Sequence, residues 1–296
     1  MADISVTSGS VNDLAFTWLE AGDPDAPLAL CLHGFPDTPE GWRPLLSAVA
    51  DAGYHAVAPW ARGYAATAVP EDGLSVLGAW VTDAIAFHET LGGGRPGAII
   101  GHDWGALATY GAASSAPDRF RNVVTMSIPP TALMATKLFD YDQVQAFWYQ
   151  YVFLQPSAEA IVSHDDFRFL ERIWADWSPG FDASAAVPAV KDALRDPANL
   201  SCALSTYRAM YDFSLIPPHL VPATMASLTP HTQPTLYLHG AQDGCVPDIE
   251  LADVLAALPA GSTGKIFPDA GHFLQYEVPD RVIEHVLAYL GTPLST

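Results

Sequence analysis

The chain has 296 residues, half of them apolar, which is enough for one large core or for a core carrying an insertion. Its 33 acidic residues against 13 basic ones give a formal charge of −20, and with no run of lysine or arginine this argues against nucleic acid or an anionic membrane as partner. Cys31, Cys202 and Cys245 are widely spaced and odd in number, with neither a disulfide-framework nor a metal-type spacing.

No basic segment followed by an apolar stretch opens the chain, and no apolar run is long enough to span a bilayer, so the sequence reads as soluble and cytoplasmic. Leu14–Leu19 and 27–32 read as strands, the second holding Cys31 as a small core residue. It runs into His33-Gly34-Phe35-Pro36-Asp37, a strand-exit turn. Proline at 36 can hold the preceding peptide cis and aim the Phe35 N–H inward. A helix over 40–52, a strand over Tyr54–Pro59 and a helix over 74–92, stopped by three glycines, come next.

Gly97-Ala98-Ile99-Ile100 is then a short apolar strand ending in Gly101-His102-Asp103-Trp104-Gly105-Ala106. Small residues at 101, 105 and 106 allow a sharp strand-to-helix turn that projects one side chain, here the carboxylate of Asp103. A serine at that point needs a base to become nucleophilic. A carboxylate, with an ordinary pKa of about 4, needs none, and its attack on a saturated carbon leaves an ester on the enzyme. Taken alone, Asp103 would equally suit a helix N-cap.

Phe120–Ile128 reads as one more strand, after which the strand–helix rhythm stops at Pro129-Pro130 and gives way to about a hundred aromatic-rich, helical residues up to Pro230. The rhythm resumes with Leu236–Gly240, whose loop carries Asp243, and with Gly264–Phe267, whose loop carries His272. It ends in a helix over 279–290. Asp243 alone would pass for an Asx turn and His272 for a surface histidine. Nucleophile, acid and histidine in this order, each after an apolar strand, is the pattern of an α/β-hydrolase fold. The expected architecture is α/β, a mostly parallel central sheet flanked by helices, with 1–130 and 230–296 as the two parts of the core and 131–229 as an inserted helical cap. His272 would activate a water against the ester and Asp243 would orient its ring. The backbone N–H groups of Phe35 and Trp104 would form the oxyanion hole.

With these residues the chain resembles the epoxide hydrolase and haloalkane dehalogenase branch of the α/β-hydrolase superfamily over nearly its whole length. His33 to Pro36 resembles the family's His-Gly-x-Pro motif, Gly101 to Gly105 its nucleophile motif, and Ala270 to Gln275 its histidine loop. The resemblance implies an epoxide hydrolase acting on a small apolar epoxide and water, with two cap tyrosines holding the epoxide oxygen. Tyr149 in Phe147–Pro156 and Tyr207 in Ser205–Tyr211 take those places, with Tyr151 and Tyr211 as competitors. His33, Pro36, Trp148, Tyr151 and Phe273 are pocket candidates. The alternative within the branch is a haloalkane dehalogenase with Trp104 and one of Trp148, Trp174 or Trp177 as halide donors. Phe35 stands where some dehalogenases have asparagine, and Trp60 stands near the place where relatives often have aspartate.

A non-catalytic small-ligand binder on the same scaffold is the reading from another functional class. His33 and His102 read as braces of their loops. His219, His231 and His239 show no partner suggesting a metal site, and with no glycine-rich phosphate loop, neither metal nor cofactor is expected. The sequence leaves monomer and homodimer both open.

Overall fold

The structure, a computed structural model, describes residues 2–291. In chain order it runs β1 (Ser5–Val11), β2 (Leu14–Ala21), β3 (Leu28–Leu32), α1 (Arg43–Asp51), β4 (His55–Pro59), α2 (Leu77–Leu91), β5 (Gly97–His102), α3 (Trp104–Ser115) and β6 (Phe120–Met126). Seven helices follow: α4 (Thr131–Lys137), α5 (Tyr141–Ala146), α6 (Trp148–Phe153), α7 (Ala158–Trp177), α8 (Val187–Leu194), α9 (Pro197–Tyr211) and α10 (Val221–Ala226). The chain closes with β7 (Thr235–Gly240), α11 (Leu251–Ala257), β8 (Thr263–Phe267), α12 (Leu274–Glu277) and α13 (Pro279–Leu290).

The eight strands form one sheet in the order β1-β2-β4-β3-β5-β6-β7-β8, antiparallel at the β1-β2 and β2-β4 pairs and parallel elsewhere. Strands β3, β4, β5 and β7 are buried on both faces, which is why they read as continuous apolar runs rather than alternations. The two edge strands instead alternate in exposure. Apolar side chains gather into one cluster on the α2/α3 side of the sheet and another on the α1/α13 side, so the sheet is covered on both faces.

Strand β1 has no counterpart in the sequence reading. It is a serine- and glycine-containing edge strand with little apolar content, closed onto β2 by Asn12-Asp13. Both turn residues have positive φ, 49° and 59°, as a two-residue hairpin turn requires, and this Asn-Asp pair was the available signal. The final helix starts and stops where it was expected, at 279 and 290. The expected helix over 40–52 is instead a short 3-10 turn at Pro39–Trp42 followed by α1.

The helices α4 to α10 are consecutive in the chain between β6 and β7, yet they do not share one environment. Helix α10, inside the span expected to be cap, packs on α2 and α3 of the core. Helix α7 is broken at His164–Phe167, where the φ/ψ values are not helical. Among the described residues, no helix is long and apolar enough to cross a membrane.

Candidate active site

The turn between β5 and α3 puts Asp103 at φ 54° and ψ −121°, a conformation that costs a non-glycine residue on the order of 1–3 kcal/mol. Its neighbours make that turn possible. A Cβ on Gly105 would run into the Leu32 and His33 carbonyl oxygens, so only glycine lets α3 start this close to β3. Gly34 is under the same constraint from the other side, since a Cβ there would overlap the Asp103 carboxylate.

That close approach lets the Phe35 N–H donate to Asp103 Oδ1 at 2.7 Å, from a loop in which the Phe35-Pro36 peptide is cis. Trp104, the other expected backbone donor, is the first residue of α3. The second carboxylate oxygen, Oδ2, lies 3.7 Å from His272 Nε2, too far for a hydrogen bond. Nε2 is buried and has no hydrogen-bond partner.

The His272 ring is held from its other side. Nδ1 donates to Asp243 Oδ2 at 2.9 Å, while Asp243 Oδ1 accepts the amides of Cys245 and Val246 at 2.8 and 2.9 Å. Asp243 is therefore an Asx-turn residue and a histidine partner at once. Burial pulls the His272 pKa down, but the Asp243 and Asp103 carboxylates outweigh it and push it up to about 10. His239, four residues before Asp243, has Nε2 3.8 Å from Asp243 Oδ2, a carboxylate neighbour that the sequence reading denied it. Its Nε2 donates to the Val246 carbonyl and its Nδ1 accepts from Tyr237.

Several backbone groups fix the histidine loop. The His272 carbonyl accepts from Ser127 Oγ at 2.7 Å and from His102 Nε2 at 2.8 Å, and Gln275 donates to His102 Nδ1, which settles the tautomer of that ring. The Trp177 carbonyl, at the end of α7, accepts both the His272 and the Gly244 amides, at 3.0 and 3.1 Å. Ser178 Oγ accepts from the amides of His272 and Phe273 and donates to Glu277. Nothing in the sequence pattern pointed to this clamp.

His33 and His102 are loop braces, as their positions suggested. His33 Nδ1 donates to the Gly34 carbonyl and Nε2 accepts from the Ala61 amide, and burial holds the ring neutral with a pKa down at about 4. Burial, with His272 alongside, takes His102 down to about 3.

A cavity of about 280 Å³ opens over Asp103, walled by Trp104, Leu107, Ile128, Met134, Phe147, Met210 and further apolar side chains. Tyr149 and Tyr207 enter it from α6 and α9, both buried, with rings 5.8 Å apart. Their hydroxyls differ. Tyr149 Oη accepts from Gln150 Nε2 at 3.1 Å and lies 3.6 Å from Cys245 Sγ, whereas Tyr207 Oη is buried without a partner. Burial, aided by the Asp103 charge, pushes both phenols well above the ordinary tyrosine value, so they stay protonated donors.

None of the five pocket candidates lines this cavity. Trp148 and Tyr151 are each 46% exposed, because α6 turns positions 149, 150 and 153 inward and leaves 148 and 151 outside. Tyr211 donates to Gln150 from α9 and is likewise part-exposed, so neither competitor tyrosine reaches the nucleophile. His33 faces Tyr64 and Trp80, and Pro36 gives its carbonyl to Trp174 Nε1. Phe273 lies flat against Trp174, with ring centroids 3.6 Å apart. Cys245 and Gln150, by contrast, do line the cavity and were not expected to.

Comparison with known proteins extends these findings. Epoxide hydrolase A of Mycobacterium tuberculosis is 29% identical, over 94% of this chain and 95% of its own length. The crystal structure of epoxide hydrolase A from Mycobacterium thermoresistibile superposes with a TM-score of 0.78 at 25% identity, covering 99% of this chain and all of the other. A haloalkane dehalogenase loop variant from Bradyrhizobium elkanii has the same fold, with a TM-score of 0.78 at 21% identity over 97% and 96% of the two chains. The alpha/beta hydrolase fold pattern matches residues 27–279, a span that contains every strand from β3 onward, the strained turn at Asp103 and the loops of Asp243 and His272. The chain belongs to the alpha/beta hydrolase fold family.

Proposed function

We propose that this protein hydrolyses an apolar epoxide to a vicinal diol through an ester on Asp103. The observation that carries the reading is the pair of protonated, buried phenols of Tyr149 and Tyr207 opposite a carboxylate in one apolar cavity. Two hydroxyls of this kind suit an oxygen on which charge develops. The relatives named epoxide hydrolase support it.

In the first step Asp103 Oδ2 attacks a ring carbon, the carbon–oxygen bond breaks, and its electron pair goes to the ring oxygen, which takes a proton from the tyrosine pair. Oδ1 stays with the Phe35 N–H and becomes the ester carbonyl oxygen. The charge of Asp103 is one of the two that hold a proton on His272, so ester formation weakens that hold. The base is thereby readied by the step before it. His272 then takes a proton from water, the hydroxide attacks the ester carbon, and Phe35 and Trp104 N–H groups meet the oxyanion. Collapse expels the diol oxygen, which takes the proton left on the Asp103 carboxyl, while the proton that His272 gave up on ester formation replaces the one the tyrosine pair donated. Residues 131–229 would act as the cap that keeps bulk water from the ester.

The dehalogenase reading has one observation in its favour, Trp104 in the cavity wall directly after the nucleophile. Of its three candidate second donors, Trp174 Nε1 is spent on Pro36, Trp148 lies outside, and Trp177 packs on the Tyr149 and His272 rings without lining the cavity. A single turnover in heavy-oxygen water tests the main proposal. Label is expected in the Asp103 carboxylate and not in the first diol, because water attacks the enzyme's own carbonyl. Label in that first diol would refute the ester, and halide release from haloalkanes without epoxide turnover would favour the second reading.

A further inference from the structure

The proposed reaction leaves one cavity group idle, the thiol of Cys245. It is buried two residues beyond Asp243, and its Sγ, an Asp103 carboxylate oxygen and a His272 ring nitrogen all lie within 4.8 Å of one another. Nε2 is a buried nitrogen with no hydrogen-bond partner, and its ring is fixed by the Nδ1 bond to Asp243. A histidine backed by a carboxylate on one nitrogen, with the other nitrogen free, is the usual preparation of a metal ligand.

The spacing fits the chemistry. With metal–ligand lengths of about 2.0–2.3 Å, ligands at a tetrahedral Zn²⁺ are roughly 3.3–3.8 Å apart. The Nε2 to Oδ2 separation is already 3.7 Å. Movement of the Cys245 side chain by about an ångström would complete a three-ligand set, leaving the fourth position open to the cavity. Sulfur with nitrogen selects borderline-soft ions. Mg²⁺ and Ca²⁺ prefer oxygen alone.

We propose that Asp103, Cys245 and His272 form a site for one thiophilic divalent cation, Zn²⁺ or Cd²⁺, and that filling it switches the enzyme off. Binding forms one bond each from sulfur, nitrogen and oxygen to the cation, and the thiol proton, with any proton on Nε2, leaves to solvent. No electrons are transferred. The carboxylate and the thiolate then match the two positive charges, and nucleophile and base are both withdrawn from the reaction.

The test is an absorption titration of chelator-treated protein with CdCl2, reading the ultraviolet charge-transfer band of a cadmium–thiolate bond. One equivalent should saturate the band. Cys245→Val and Cys245→Ser should both lose it, Cys202→Ala should keep it, and His272→Gln should weaken binding at least tenfold. Zn²⁺ should compete for the same site, and MgCl2 should not. A wild type without the band at stoichiometric Cd²⁺, or a band that survives in folded Cys245→Ser, would overturn the proposal. The band needs no turnover, so a chelator-treated enzyme that ignores epoxides would count against the proposed reaction while this readout still decides the site. Where epoxide turnover is present, inhibition by ZnCl2 should follow occupancy one to one.

Discussion

The two halves of the site are finished to different degrees. On the sheet side, three of the four carboxylate oxygens of Asp103 and Asp243 have hydrogen-bond donors, and the His272 carbonyl accepts two. On the helical side, Tyr207 Oη has no partner and Tyr149 Oη accepts from Gln150 and shares a long contact with the Cys245 thiol in which either group can donate. Groups that hold geometry are mostly paired, whereas the phenols proposed to meet the substrate keep a hydrogen to give. A buried unpaired hydroxyl costs a fold about 1–3 kcal/mol, so its retention fits a substrate role better than a packing role.

The largest effect should come from breaking the finished half. His272→Gln should still be alkylated yet fail to hydrolyse the ester, so intact-protein mass spectrometry after epoxide addition should show an accumulating adduct. An unmodified, inactive variant would place His272 in the first step. The same variant reads out the ion pair. The folded pKa of His272 lies above the ordinary 6.5, so its contribution to stability is complete below 6.5 and is lost as pH rises toward about 10. The melting-temperature advantage of wild type over His272→Gln should therefore shrink between pH 7 and pH 10, and a constant gap would remove the ion pair from the account.

Next come the unfinished groups. Tyr149→Phe and Tyr207→Phe should each lose about a hundredfold in alkylation rate, roughly 3 kcal/mol, with the double change falling much further and ester hydrolysis less affected. Their stabilities should separate them. Tyr207→Phe removes an unpaired hydroxyl and should leave the melting temperature unchanged or raised, whereas Tyr149→Phe strands the Gln150 amide and should cost about 1 kcal/mol. Equal losses of stability would erase the contrast between the two phenols.

Smaller again is Ser178→Ala. The His272 and Phe273 amides keep the Trp177 carbonyl and Glu277 as partners, so the cost should be about 1 kcal/mol, or a few degrees in Tm. Trp148→Ala should be the quietest, within about 0.5 kcal/mol and with near-normal kcat, since this side chain is outside the cavity. A large loss of activity there would return Trp148 to the site.

Asp103, Asp243 and His272 were legible because each follows an apolar strand in a short loop, where the local pattern fixes position. The cavity walls were not. Leu107, Met134 and Met210 come from three separate helices and Phe147 from the junction of α5 and α6, and they meet only in the folded chain. Trp148 and Tyr151 were misplaced because a run dense in aromatics hides its own helical face, although the inward pair Tyr149 and Phe153 is spaced i, i+4. Cys245 was missed for the opposite reason, since a lone cysteine has no pattern until Asp103 and His272 surround it.

The Trp177 carbonyl, shared by the amides of Gly244 and His272, bears on how this scaffold can be re-engineered. A foreign helical segment spliced between β6 and β7 would bring a new cavity but would also replace the peptide that ties the acid loop to the histidine loop. Chimaeras that retain Trp177 and Ser178 should keep a competent hydrolytic half whatever roof they receive. Those that discard them should inherit a new specificity with a loosened base, and the exchange rates of the two amides with deuterium would tell the designs apart before any substrate is tried.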